Sequence, residues 1–412
     1  MLGRAFGLAG ITADVQRALV VAYATSVAVI MGVNLIYPVL PPMMQQLGVD
    51  ESAIGLVMTV YSAPTILLSP VAGILADLYG RKLLLFWGLL LFGTAGAGVG
   101  LASTLEWVLA MRFVQGVGAS ALFPLTIVLL SDLLDGEQET SAQGLKVVTD
   151  RLATAALPVL AGVLAAVAWN SAYYLFALSI PIAFLSLRWT PEHRGDSTGG
   201  VRQYLGALRG VAGRPPLVVA FAAGFLRFFL DYGYFTYLPI FLVLTRGTSP
   251  VVVGGLLACF AMGAMVTASQ SGRLSRGRNP AHLVCVGFAL DGLSVLAIPF
   301  LPSEVLVGVS LFVYGLGNGM ISPQQKSLLT RNAPAGTLGG VIALDRLVQQ
   351  IAKTVSPGLM GMLLLVSDIS AVFWLLGALS VASLPLAALL LRAQTSSQPA
   401  LLDPALAEPP PA

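Results

Sequence analysis

Residues 52–103 read SAIGLVMTVYSAPTILLSPVAGILADLYGRKLLLFWGLLLFGTAGAGVGLAS. Two apolar runs, 52–76 and 82–103, flank a short turn that holds Asp77, Gly80, Arg81 and Lys82. Each run has the roughly 20 residues that a helix needs to cross the hydrocarbon of a bilayer. Two cations placed directly after a span keep the turn on the cytoplasmic side.

The rest of the chain has the same character. Of its 412 residues, 57% are apolar and 10% charged, where a soluble domain carries about 25% charged residues. So little charge cannot cover a water-facing surface of this size. That excludes a soluble multidomain enzyme, a nucleic-acid binder and a disordered scaffold. The net charge of +3 is too small to imply a polyanionic partner. Cys259 and Cys285 sit in separate apolar runs, and His193 and His282 in polar loops, so neither a disulfide framework nor a metal site is expected, and no cofactor. Residues 1–17 lack the small-residue cleavage site of a secretory leader, so the apolar run after Arg17 reads as a retained span.

Twelve such runs are present, at about 18–42, 52–76, 82–103, 107–131, 144–168, 172–189, 216–244, 251–271, 281–301, 305–329, 338–366 and 370–391. Basic residues from Arg4 and Arg17 through Arg273, Arg276 and Arg278 to Arg392 fall on one side, and the loops of the other side hold only Arg246. That asymmetry predicts cytoplasmic N- and C-termini. The longest internal polar segment, 190–215, separates a six-span unit at 1–189 from another at 216–392, and the Pro-rich end 393–412 is expected to be disordered.

The two units repeat. Gly55 and Gly254, Gly73 and Gly272, Gly116 and Gly315, Pro124 and Pro323, Pro158 and Pro357, and Gly162 and Gly361 are each 199 residues apart. Six helices repeated in one orientation give two bundles related by an axis along the membrane normal. Such bundles can rock against each other around a site near the midplane.

Here the sequence resembles a known family. Gly73-Ile-Leu-Ala-Asp77-Leu-Tyr-Gly80-Arg81-Lys82 is similar to the loop 2–3 signature of the major facilitator superfamily, and Arg112-x-x-x-Gly116-x-Gly118 to its span-four motif. The resemblance implies an all-α membrane protein with twelve spans in two pseudo-symmetric six-helix bundles. It also implies that Gly73, Asp77, Gly80, Arg81 and Lys82 form a conformational gate that contacts the inner ends of the opposite half. Asp345 and Arg346, near the start of span eleven, are the expected partners.

Span seven carries the densest polar signal, with Arg227 and Asp231 one helical turn apart and Tyr234 beside them. Neither charge belongs against lipid, so that face is expected to line a central passage. Burial disfavours a charged carboxylate and a nearby guanidinium favours it, so altering the pairing alters proton affinity. The other reading is a self-neutralised pair that holds helices together. Arg112, with Gln115 on an adjacent face, reads either as a charge on the pathway or as a side chain snorkelling to the outer interface. Asn34 and Tyr37 in span one, Asn318 in span ten and Asp291 in span nine complete the polar candidates.

The loop signature, the proline-rich end of span one (Pro38, Pro41, Pro42) and the aromatic span seven most resemble a twelve-span drug:proton antiporter. The span-five signature departs from that group, with Leu157 where a glycine is expected, although Pro158 and Gly162 remain. The reading is a secondary transporter that exports small hydrophobic or cationic compounds against inward proton flow, acting as a monomer in the plasma (inner) membrane. The alternative is uptake or exchange of a small polar metabolite or organic anion bound by Arg112 and Arg227. No catalytic set and no P-loop occur, so an enzyme or a primary pump is not expected.

Overall fold

The computed structural model of the protein describes residues 11–192, 214–276, 280–334 and 337–385. No strand occurs among them. The main helices are α1 (Ala13–Asn34), α2 (Leu56–Tyr79), α3 (Arg81–Val99), α4 (Leu105–Leu133), α5 (Gly136–Val167), α6 (Ser179–Trp189), α7 (Pro215–Arg246), α8 (Pro250–Ser269), α9 (Pro280–Ala297), α10 (Glu304–Asn332), α11 (Leu338–Leu364) and α12 (Ser370–Ala382). A 3₁₀ turn at Tyr37–Val39 extends α1 into Leu40–Leu47, and a longer 3₁₀ stretch, Trp169–Leu178, leads into α6.

Among the described residues, ten segments are long and apolar enough to span a bilayer. The two exceptions have physical causes. Asp345, Arg346, Gln349, Gln350 and Lys353 make the first half of α11 polar, and the described part of α12 has only 13 residues. Most of the 190–215 segment and all of the 393–412 end lie outside the described residues.

Local signals repeat with the same spacing as the prolines. The Thr104 and Ser303 hydroxyls cap α4 and α10, each accepting from a backbone N–H three residues on at 3.4 Å. Gly48 and Gly247 close the chain before the α2 and α8 regions with φ of 63° and 64°. A Cβ in that left-handed conformation costs about 1 kcal/mol or more, which glycine avoids.

Packing follows the repeat. In the first half α4 lies against α1, α2 and α3, and in the second half α10 lies against α7, α8 and α9. The α3–α6 and α1–α6 contacts have counterparts in α9–α12 and α7–α12. Between the halves run α2–α11 and α5–α8, which are equivalents of each other.

Those two crossings are closest at the end that the Lys/Arg bias assigns to the outside. Gly55 abuts the Pro357 carbonyl and Gly361 the Ser52 carbonyl. In the mirrored crossing, Gly254 abuts the Pro158 carbonyl and Gly162 the Pro250 carbonyl. A Cβ at any of the four would overlap the backbone it faces. The repeated glycines and prolines thus let two helix pairs meet backbone to backbone, as small residues do between membrane helices. Tyr37 and Phe235, with ring centroids 5.7 Å apart, add a contact between the halves beneath this closure.

Replacing Gly55 and Gly254 together with leucine should therefore hold the outer ends apart. A cysteine introduced at Phe235, in a chain with Cys259 and Cys285 changed to alanine, should then react with a membrane-impermeant maleimide several-fold faster from outside. An unchanged labelling rate would show that these crossings do not seal that end.

Candidate functional site

At mid-membrane the second half carries a closed polar cluster. Asp231 on α7 is only 8% exposed, and its Oδ1 accepts from the Tyr314 hydroxyl at 2.7 Å and from Asn318 Nδ2 at 2.8 Å. The Asn318 Nδ2 also lies 3.0 Å from Oδ2. The carbonyl of the same Asn318 accepts from Arg227 Nη1 at 3.2 Å. Arg227 and Asp231 share a helix face but do not form the direct ion pair that their spacing predicts. Asn318 from α10 stands between them and is hydrogen-bonded to both. Arg227 lies over the Phe228 ring at 4.1 Å, and its Nε finds no partner among the described residues. Tyr314 is a functional candidate that sequence reading missed. Its only signal is a helical spacing of four from Asn318.

Asp291 on α9 adjoins this cluster. It is 1% exposed, abuts Gly317, and neither carboxylate oxygen has a hydrogen-bond partner among the described residues. Tyr234 is fully buried on the same side, 4.8 Å from Tyr314 and 6.0 Å from Phe373 by ring centroids. It packs among α10 and α12 rather than at the junction of the halves. Asn34 and Tyr37 do reach that junction. They line a small cleft with Thr154, Pro158, Phe235, Leu257 and Phe260.

The first half holds its buried cation differently. Arg112 is wholly buried and does not snorkel. Its Nε donates to the Val57 carbonyl at 3.3 Å, and both Nη atoms donate to the Gly32 carbonyl at 3.1–3.2 Å. Nη1 also donates to Gln115 Oε1 at 2.7 Å, and the guanidinium covers the Tyr61 ring at 4.1 Å. Arg112 thus ties α1, α2 and α4 together through carbonyl oxygens, and its fork is occupied.

At the inner end, Gly80 turns the chain with φ of 91°. Arg81 pairs with Asp132 at the end of α4. The surroundings of Gly73 and Asp77 lie outside the described residues. Lys82 is half-buried at the start of α3. Asp345 is held within its own half by Gln325 Nε2 at 2.8 Å and Gln349 Nε2 at 2.6 Å. Arg346 does reach across, with its guanidinium 5.3 Å from the Phe123 ring centroid on α4. Gln350, unremarked in the sequence, donates to the Thr65 hydroxyl and links α11 to α2.

Residues 22–357 match the family model described as Major Facilitator Superfamily. The chain is 27% identical over 343 residues to the bacillibactin exporter of Bacillus subtilis, covering 79% of this chain and 85% of that one. It is 21% identical over 340 residues to the multi-drug resistance efflux pump PmrA homolog of Lactococcus lactis, covering 79% and 82%. In fold it is similar to the solved nucleoside transporter NupG, with a TM-score of 0.80 at 11% identity over 90% of this chain and 99% of that one.

The carbonyl cage makes Arg112 a structural cation. Arg112→Lys keeps the charge and loses the fork, which leaves buried carbonyls short of donors at about 1–3 kcal/mol each. The variant should show a markedly lower apparent unfolding temperature in detergent. A wild-type melting curve would instead place the importance of Arg112 outside folding.

Proposed function

The chain belongs to the Major Facilitator Superfamily, and on that premise we propose that it exports small amphiphilic compounds by alternating access, driven by protons moving inward. The halves 1–189 and 216–392 act as the two bodies, linked by 190–215. One chain encloses the whole pathway, so a monomer suffices. The Lys/Arg asymmetry supports cytoplasmic termini in a plasma (inner) membrane.

One observation carries the coupling. Asp231, buried at mid-depth, is held by two neutral donors, and Asn318 joins it to Arg227. Adding a proton to Asp231 removes its charge and weakens its hold on the Asn318 amide. Asn318 and Arg227 are then free to take another arrangement. A proton at one end of this chain of contacts therefore biases what the cation at the other end binds, which is the differential interaction that coupling requires. Asp291, buried against Gly317 with unpartnered oxygens, offers a second place for a proton.

The closed outer crossings support a state open toward the cytoplasm, the side from which an exporter loads. The named exporters among the relatives support the direction. The uptake reading depended on two arginines gripping one carboxylate, and Arg112 already has its donors engaged.

Asp231→Asn should abolish efflux driven by an imposed pH gradient in proteoliposomes while cargo binding in detergent persists. Undiminished gradient-driven efflux in that variant would remove Asp231 from the coupling.

A further inference from the structure

At mid-depth, α7 and α11 bring two cations, Arg227 and Lys353, around one aromatic ring, Phe228. Lys353 lies 15 residues into α11, roughly 22 Å from its inner end at 1.5 Å per residue. Its Nζ donates to Gln350 Oε1 at 2.8 Å. The same ammonium sits 4.5 Å from the Phe228 ring centroid and 5.7 Å from that of Tyr232. Arg227 covers the Phe228 ring as well, at 4.1 Å. Across the junction, Phe123 is 41% exposed and has Lys146 at 5.1 Å and Arg346 at 5.3 Å. Arg151 on α5 directly follows Asp150, which Ser26 and Lys146 hold.

The acids nearby are already engaged. Asp150 is paired with Lys146 at 2.7 Å and accepts from Ser26, Asp231 is held by Tyr314 and Asn318, and Asp345 by Gln325 and Gln349. Among the described residues, Arg151, Arg227 and Lys353 have no carboxylate within 4.0 Å. Ring faces attract a cation through their quadrupole without cancelling its charge.

Two consequences follow. Counted with their charges, the five cations Lys146, Arg151, Arg227, Arg346 and Lys353 outnumber the four acids Asp150, Asp231, Asp291 and Asp345, so the site has a net positive field, strengthened because mid-membrane surroundings screen poorly. The aromatic faces that would draw in a cationic solute are already covered by the protein's own Lys and Arg.

We propose that this site binds aromatic or amphiphilic anions, with Lys353 and Arg227 meeting the negative group and the uncovered edges of Phe228 and Tyr232 the apolar body. This rests on the reading of the junction as the cargo site. It reverses the charge expected when the aromatics of span seven are read without their neighbours.

A charge-swapped ligand pair tests it. Binding of 1-naphthoate and of 1-naphthylmethylammonium to the purified full chain is measured by calorimetry at neutral pH, with no gradient. The naphthoate should bind about tenfold more tightly, the difference that one charge-assisted contact supplies. High salt should weaken it. Lys353→Gln should remove most of the preference, and Lys353→Arg should keep it. Equal or tighter binding of the ammonium, no binding of either ligand, or full naphthoate affinity in Lys353→Gln overturns the proposal. The measurement needs no proton flow, so a failure of the coupling assigned to Asp231 would leave its outcome unchanged.

Discussion

A charge inside a hydrocarbon slab persists only where protein dipoles or water replace its hydration, and this protein is organised around that constraint. Its buried ionisable groups follow two solutions. Arg112 is enclosed by backbone carbonyls and Gln115, which fixes it in place and makes it a strut of the first half. Asp231 and Arg227 are joined through Asn318, a group that both donates and accepts and so can be rearranged. The first arrangement gives rigidity, and the second leaves room for two states.

The repeat divides its labour along the membrane normal. Toward the outside, Gly55, Gly254, Gly162 and Gly361 give equivalent backbone contacts in two swapped crossings. Toward the inside the equivalence breaks down. Lys146, Asp150 and Arg151 on α5 occupy the register of Asp345, Gln349 and Gln350 on α11. Identical halves would place like charges opposite each other there, which electrostatics disfavours. Divergence yields Lys146–Asp150 in one half, Gln–Asp345–Gln in the other, and side-chain links such as Gln350–Thr65 between them. Long polar side chains separate with less disruption than interlocked backbones, so the inner contacts are the easier of the two sets to part.

Membership of the superfamily fixes the transporter class, and the local chemistry narrows it. If Asp231 takes the proton and the Lys353–Arg227 cluster the cargo, as proposed, the two sites are adjacent, because Arg227 belongs to both: it reaches Asp231 through Asn318 and covers Phe228. A negative cargo at Arg227 and a proton at Asp231 would then act on one small network, which gives exchange a short physical path.

Apolar run length and the placement of Lys and Arg made the helical membrane class and the succession of helices legible, because a bilayer demands both within single segments. The 199-residue spacing exposed the two-fold relation, because Gly and Pro mark backbone geometry wherever they stand. Contacts between distant segments carry no such mark. Nothing local shows that Asn318 separates Arg227 from Asp231, that Tyr314 completes the cluster, or that Tyr234 turns away from the junction. Nor does anything local show that Arg81 meets Asp132, some fifty residues on. A helix records which face a side chain occupies, and only the packing of its neighbours decides what that face meets.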